Sequence, residues 1–216
     1  MKLFGIKISV HWSWWLLVLL FSAKDLLMLD LTGFAISFST MLSLVVIIIM
    51  HELAHAISAR YLGHEPVSIT LHLMGGVALI NMNKPSPSDL FWISLAGPAS
   101  NMVAFGIILL IYLTGIFSAV PLVETVLLTF GFFNLLVGLL NLLPAWPMDG
   151  GRMLRAAMAG YDPRTVMDVS HFLSGLCVCF LLAWGLAGPN LFAIILAAGI
   201  SGLIWFERKS GRMIEG

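Results

Sequence analysis

The chain has 216 residues, of which 60% are hydrophobic and 10% charged, with a formal net charge of zero and a mean hydropathy of +1.01. Soluble globular domains carry about 25% charged residues, so this balance excludes one and points to a polytopic membrane protein. Zero net charge offers no bulk attraction to nucleic acid or to acidic substrates.

Apolar runs long enough to cross about 30 Å of hydrocarbon predict six spans, near 10–30, 34–62, 89–117, 122–146, 166–187 and 189–207. Lys2 and Lys7 precede the first run and no small-residue cleavage site follows it, so it reads as a retained span and not a removed signal. Assigned to alternate sides, the segments flanking these spans place ten of the eleven Lys and Arg on one side. By the positive-inside rule both termini are then cytoplasmic. Trp12, Trp14 and Trp15 at one end and Trp205 with Phe206 at the other suit interfacial belts. Cys177 and Cys179 sit in an apolar run and read as packed thiols.

The second span carries the most informative residues, His51-Glu52-Leu53-Ala54-His55. Residues four apart share a helix face, so two neutral imidazoles can bind one tetrahedral metal. Glu52 lies beside them, where a carboxylate can take a proton from water and return it to a leaving amine. No charged residue occurs from Ile36 to Met50. Polar groups at such depth cost roughly 2.5–3.5 kcal/mol each, and a metal ion is the natural compensation.

After this span, Val67 to Leu73 alternates apolar with polar, Met74-Gly75-Gly76 interrupts it, and Val77 to Met82 resumes, predicting a small membrane-associated β-hairpin between the second and third spans. Backbone that is not helical survives at membrane depth only beside protein or water, so the hairpin should line the site. Ile69, Leu71, Leu73, Gly75 and Gly76 form its candidate substrate edge, available for strand addition by an extended peptide.

In the third span, Gly97-Pro98-Ala99-Ser100-Asn101 combines small residues, a helix-bending proline and an amide. Asn101 is either a bond between helices or a donor to substrate or to a developing oxyanion. The fourth span ends in Asn141-Leu-Leu-Pro144-Ala-Trp-Pro147-Met-Asp149-Gly150-Gly151-Arg152, where two prolines prevent regular helix and put Asp149 on an irregular segment at the histidines' depth. A catalytic zinc site takes three protein ligands plus water, and Asp149 is the candidate third. The rival is His72 on the hairpin, around which nothing enforces geometry.

With these residues in place the chain resembles the site-2 protease family of intramembrane zinc metalloproteases. The resemblance rests on HExxH at 51–55, Gly97 to Asn101, and the NxxPxxPxDGGR segment at 141–152, and it covers essentially the whole chain. It implies His51, His55 and Asp149 as ligands of one Zn2+ per chain and Glu52 as catalytic base, with Asn101 and Asn141 near the active site. It also implies transmembrane protein substrates within a lipid bilayer, and a multi-pass protein of a prokaryotic cell membrane. The short second-to-third connection leaves no room for a PDZ insertion, and the C-terminal CBS pair that members of the compact branch often carry is missing from these 216 residues. The chain is similar instead to the compact branch that includes the sporulation factor IVFB protease, read as one core domain over 1–216, with a homo-oligomer left open.

The rival class is a metal-ion transporter or channel, which also buries His, Glu and Asp. Glu52 separates the two, because a hydrolase needs it for turnover and not for holding metal. Zinc proteases that trim prenylated tails would take a downstream Glu ligand, and no serine sits in a nucleophile turn of rhomboid type.

Overall fold

The structure is a computed structural model that describes residues 2–72, 75–188 and 190–210. In chain order its elements are β1 (Lys2–Leu3), β2 (Ile6–Val10), α1 (Ser13–Leu27), α2 (Leu31–Tyr61), β3 (Glu65–His72), β4 (Gly75–Asn81), α3 (Pro87–Leu113), α4 (Pro121–Leu142), α5 (Asp149–Ala157), α6 (Pro163–Ala187) and α7 (Leu191–Ser210). These fall into two compact units, 1–84 with 96–138 and 85–95 with 139–216.

Helices α2, α3, α4 and α6 are long and apolar enough to cross a membrane, and the protein is a multi-pass membrane protein. Their outer faces agree with this. Val103, Ile107 and Leu110 on α3, and Phe172, Leu176 and Phe180 on α6, recur at helical spacing and are more than half exposed, as side chains facing lipid would be. The first predicted span is shorter than expected: helix α1 has 15 residues, about 22 Å at 1.5 Å per residue, whereas α7 has 20. Of the proposed Trp belt, Trp12 and Trp15 face outward, whereas Trp14 is buried.

In the first unit, α2 is started by Asp30, whose carboxylate accepts from the Gly33 N–H at 2.9 Å, and stopped by Gly63 at φ +86. The predicted hairpin forms as β3 and β4, antiparallel, with an irregularity between Pro66 and Ser68. It belongs to a larger sheet than the sequence suggests. The N-terminal residues supply β1 and β2, and the order is β1-β2-β3-β4 with β2 parallel to β3. Ile6 and Ile8 of β2 and Ile69 and Leu71 of β3 bury one face of the sheet against Leu53 and Ala56 of α2. Strand alternation therefore places this core directly on the helix that carries the histidines.

This topology corrects the expected substrate edge at Ile69 and Leu71. Strand β3 is paired on both sides, so neither residue offers free backbone, and both side chains are fully buried. Among the described residues the outer strand on that side is β4, with Gly75 and Gly76 at its start. Leu73 lies outside the described residues.

In the second unit, α6 begins with Asp162, whose carboxylate accepts from Arg164 and Thr165 N–H, and Pro163 occupies the first helical position. Leu181 of α6 packs with Ala193, Ala197 and Ile200 of α7, where small residues let the two helices approach closely.

Candidate metal centre

His51 and His55 lie one turn apart on α2, each 5% exposed, and their Nε2 atoms face each other at 3.1 Å. Two nitrogens bound at 2.0–2.1 Å around a tetrahedral ion stand about 3.3 Å apart, so the pair is already near ligand geometry. A hydrogen bond between the rings spans the same gap, and the backbone around the rings adds a second criterion. A Cβ on Gly97 would run into His55 Nε2 and come within 2.7 Å of His51 Nε2. Glycine there keeps open the space in front of both ring nitrogens, and Pro98 beside it is fully buried.

The other ring nitrogen of His51 shows which nitrogen carries the lone pair. His51 Nδ1 is 2.5 Å from Asn101 Oδ1, Asn101 Nδ2 donates to Asn134 Oδ1 at 3.0 Å, and Asn134 Nδ2 donates to the Phe130 carbonyl at 2.9 Å. A carbonyl can only accept, so the direction of the chain is fixed from its far end. Asn134 must present its oxygen to Asn101, and Asn101 its oxygen to His51. The proton therefore sits on His51 Nδ1 and the lone pair on Nε2, the form a metal requires. Both asparagines are fully buried. Asn101 thus spends both ends of its amide inside the protein, which supports a role in orienting His51 more than one in donating to substrate.

Asn134 had no part in the sequence reading. Its signal was present, since an amide in the middle of an apolar helix must find a partner, but nothing in the sequence names that partner.

Glu52 is half-buried next to the histidines on α2 and faces β4. A Cβ on Gly76 would lie 2.9 Å from Glu52 Oε1 and 2.8 Å from Ile48 Cγ2, so the strand can approach the carboxylate only because that residue is glycine. His72 is exposed at the end of β3, its ring centroid 5.3 Å from that of His11.

In the second unit, Asp149 is the first residue of α5 and is 6% exposed. Arg152 on the next turn lies 3.8 Å from its carboxylate, a long pair that is half open to solvent on the Arg side. Gly150 and Gly151 press against the backbone of Leu142, Leu143 and Ala145, where any Cβ would collide, so this pair is needed for close packing as well as for turning. Asn141 is half-buried in the last turn of α4.

The comparisons agree with this chemistry. The model of Peptidase family M50 matches residues 39–125 and 115–183. The chain is 33% identical over 217 residues to the "Putative zinc metalloprotease Rip3" of Mycobacterium tuberculosis, covering 94% of this chain and 53% of that protein. It is 30% identical over 218 residues to the "Zinc metalloprotease MJ0392" of Methanocaldococcus jannaschii, covering 99% and 60%. It thus spans a little over half the length of these relatives. The solved structure of the site-2 protease from Methanocaldococcus jannaschii has the same fold, with a TM-score of 0.66 at 22% identity over 100% of this chain and 95% of that one. The chain belongs to Peptidase family M50.

Proposed function

We propose that the protein is an intramembrane zinc metalloprotease that cuts peptide bonds in or near the transmembrane segments of membrane proteins. The observation that carries this reading is the pair of buried imidazoles with converging Nε2 atoms, beside Glu52, on a helix long enough to cross a membrane. The relatives' names describe zinc metalloproteases and point the same way.

His51, His55 and Asp149 are the proposed ligands of one Zn2+. Each is buried and each offers one ligand atom, two imidazole nitrogens and a carboxylate oxygen, a donor set suited to zinc with a fourth position left for water. Bound zinc would supply a Lewis acid that polarises a carbonyl and makes water more acidic. The remaining work belongs to the protein. Glu52 accepts the proton of the attacking water and hands it to the departing amide nitrogen, while Asn101 keeps the His51 ring in its ligating tautomer. A helical substrate hides its carbonyls in internal hydrogen bonds and must unwind before one can react. The outer edge of β4, from Gly75 and Gly76 onward, is proposed to receive the unwound segment by strand addition, close to Glu52. Asn141 is a candidate further contact to substrate backbone.

The Lys and Arg distribution supports cytoplasmic termini and six crossings, with the 15-residue α1 the short one. A reporter fused to the C-terminus should behave as cytoplasmic, and an external signal would overturn this topology. The activity itself is tested by incubating purified protein with a single-span peptide whose segment contains Gly, Pro or Asn. Cleavage that stops with a zinc chelator supports the reading, and a protein that moves metal across vesicles without cutting any peptide would replace it with the transporter.

A further inference from the structure

We propose that Glu207, near the end of the last helix, is a positioning residue for the ligand Asp149 and acts through Arg155; the inference rests on the zinc site proposed above. Helix α5 has nine residues and its N-cap, Met148, makes no side-chain cap bond. A helix this short does not hold itself in place, so the orientation of Asp149 depends on what fastens the segment around it.

One buried cluster fastens it on both sides. Arg155, in the last turn of α5, donates from Nη1 and Nη2 to the two oxygens of Glu207 at 2.8 and 3.0 Å, and from Nε to Ser170 Oγ at 3.0 Å. Trp146, three residues before Asp149, has its ring centroid 4.3 Å from the same guanidinium and donates its backbone N–H to Ser174 Oγ at 2.8 Å. Ser174 in turn donates to the Ser170 carbonyl at 2.7 Å. The stretch 146–155 that carries Asp149 is therefore tied at each end to the same turn of α6, and through Glu207 to α7. Glu207 is 2% exposed and also lies 3.0 Å from His171 Nε2.

A carboxylate this buried is kept only with partners, and the planar fork of Arg155 matches it in one orientation. Without that carboxylate the guanidinium keeps only the Ser170 hydroxyl and the Trp146 ring, and its two terminal nitrogens lose the partners that hold them inside. Its movement toward water would turn α5 and, with it, Asp149. A purely structural cluster would lower the stability of the protein and leave the metal affinity of the folded protein unchanged.

The test uses the full chain in detergent micelles, with Zn2+ affinity measured against a competing chelator and thermal unfolding measured without metal. Glu207→Gln is expected to weaken Zn2+ binding about 10–100-fold, the range found when an outer support of a metal ligand is removed. Because Glu207→Gln leaves a partly buried guanidinium without its counter-charge, the double variant Arg155→Met with Glu207→Leu removes both charges at similar volume. It should unfold near the wild-type temperature and still bind Zn2+ more weakly. Arg155→Lys keeps the charge but loses the fork, and should show a smaller loss. Affinities within about twofold of wild type in the folded double variant and in Arg155→Lys overturn the proposal. Asp149→Asn is the control that separates the two levels. If it binds Zn2+ like the wild type, the zinc reading is wrong; if it loses Zn2+ while the cluster variants keep it, the cluster proposal alone fails.

Discussion

His51 and Asp149, both proposed as ligands of one metal, are held by different physical means. His51 sits on a 31-residue helix whose backbone already fixes its place, and only the ring remains to be oriented. Two neutral amides and a carbonyl do that. Neutral groups are comparatively cheap to bury, so the relay suits a helix inside the membrane. Asp149 starts a nine-residue helix after the Pro144-Ala-Trp-Pro147 segment, with no backbone order of comparable length behind it. There the protein uses a charged fork, Arg155 on Glu207, which costs more to bury but specifies a single arrangement. Regular structure lets a weak support suffice, whereas irregular structure calls for a strong one.

Deleting a ligand on either side has the largest expected effect. His55→Ala and Asp149→Ala should each reduce bound zinc to background and abolish cleavage, measured by metal analysis of purified protein; normal zinc in either would remove that residue from the ligand set. Gly97→Ala comes next. It inserts a methyl where the two ring nitrogens converge, so zinc affinity should fall by about 100-fold, the upper end of what a disturbed ligand support costs. Unchanged affinity would show that the rings have room elsewhere.

The relay predicts a graded series. Asn101→Leu should weaken zinc binding about 10–100-fold, and Asn134→Leu by less because it acts one bond further out. A larger loss from Asn134→Leu than from Asn101→Leu would contradict the direction assigned to the chain. The smallest effect is expected at the sheet. A proline in β4 at a residue whose N–H faces away from β3 removes one backbone donor worth about 0.5–1.5 kcal/mol, or about 2–10-fold in kcat/KM, with zinc retained. Cleavage at the wild-type rate in a folded variant would move substrate binding away from β4.

The contrast between the two supports also explains what was legible in the sequence. The histidines were visible because three polar groups at helical spacing interrupt an apolar run, and local pattern alone carries that signal. Strands β3 and β4 were visible from alternation around Gly75-Gly76. Strand β2 was not, since Ile6 to Val10 is five residues leading straight into Trp-rich apolar sequence, and its state is set by parallel pairing with β3 some sixty residues away. Missing it misplaced the free edge. Arg155 and Glu207 are 52 residues apart, and in sequence they look like two charges near span ends. Long-range charge pairs leave no local pattern, whereas the amide of Asn134 at least announced that a partner must exist.

The most direct test of the central claim is to compare wild type and Glu52→Gln in one preparation for both zinc content and cleavage of a single-span substrate. The account requires about one zinc per chain in both proteins, with turnover in Glu52→Gln reduced about 10²–10⁴-fold, the usual contribution of a general base. Loss of zinc in Glu52→Gln would make Glu52 a ligand, and cleavage at the wild-type rate would remove it from the chemistry; either result contradicts the assignment of His51, His55 and Asp149 as the ligands and Glu52 as the base.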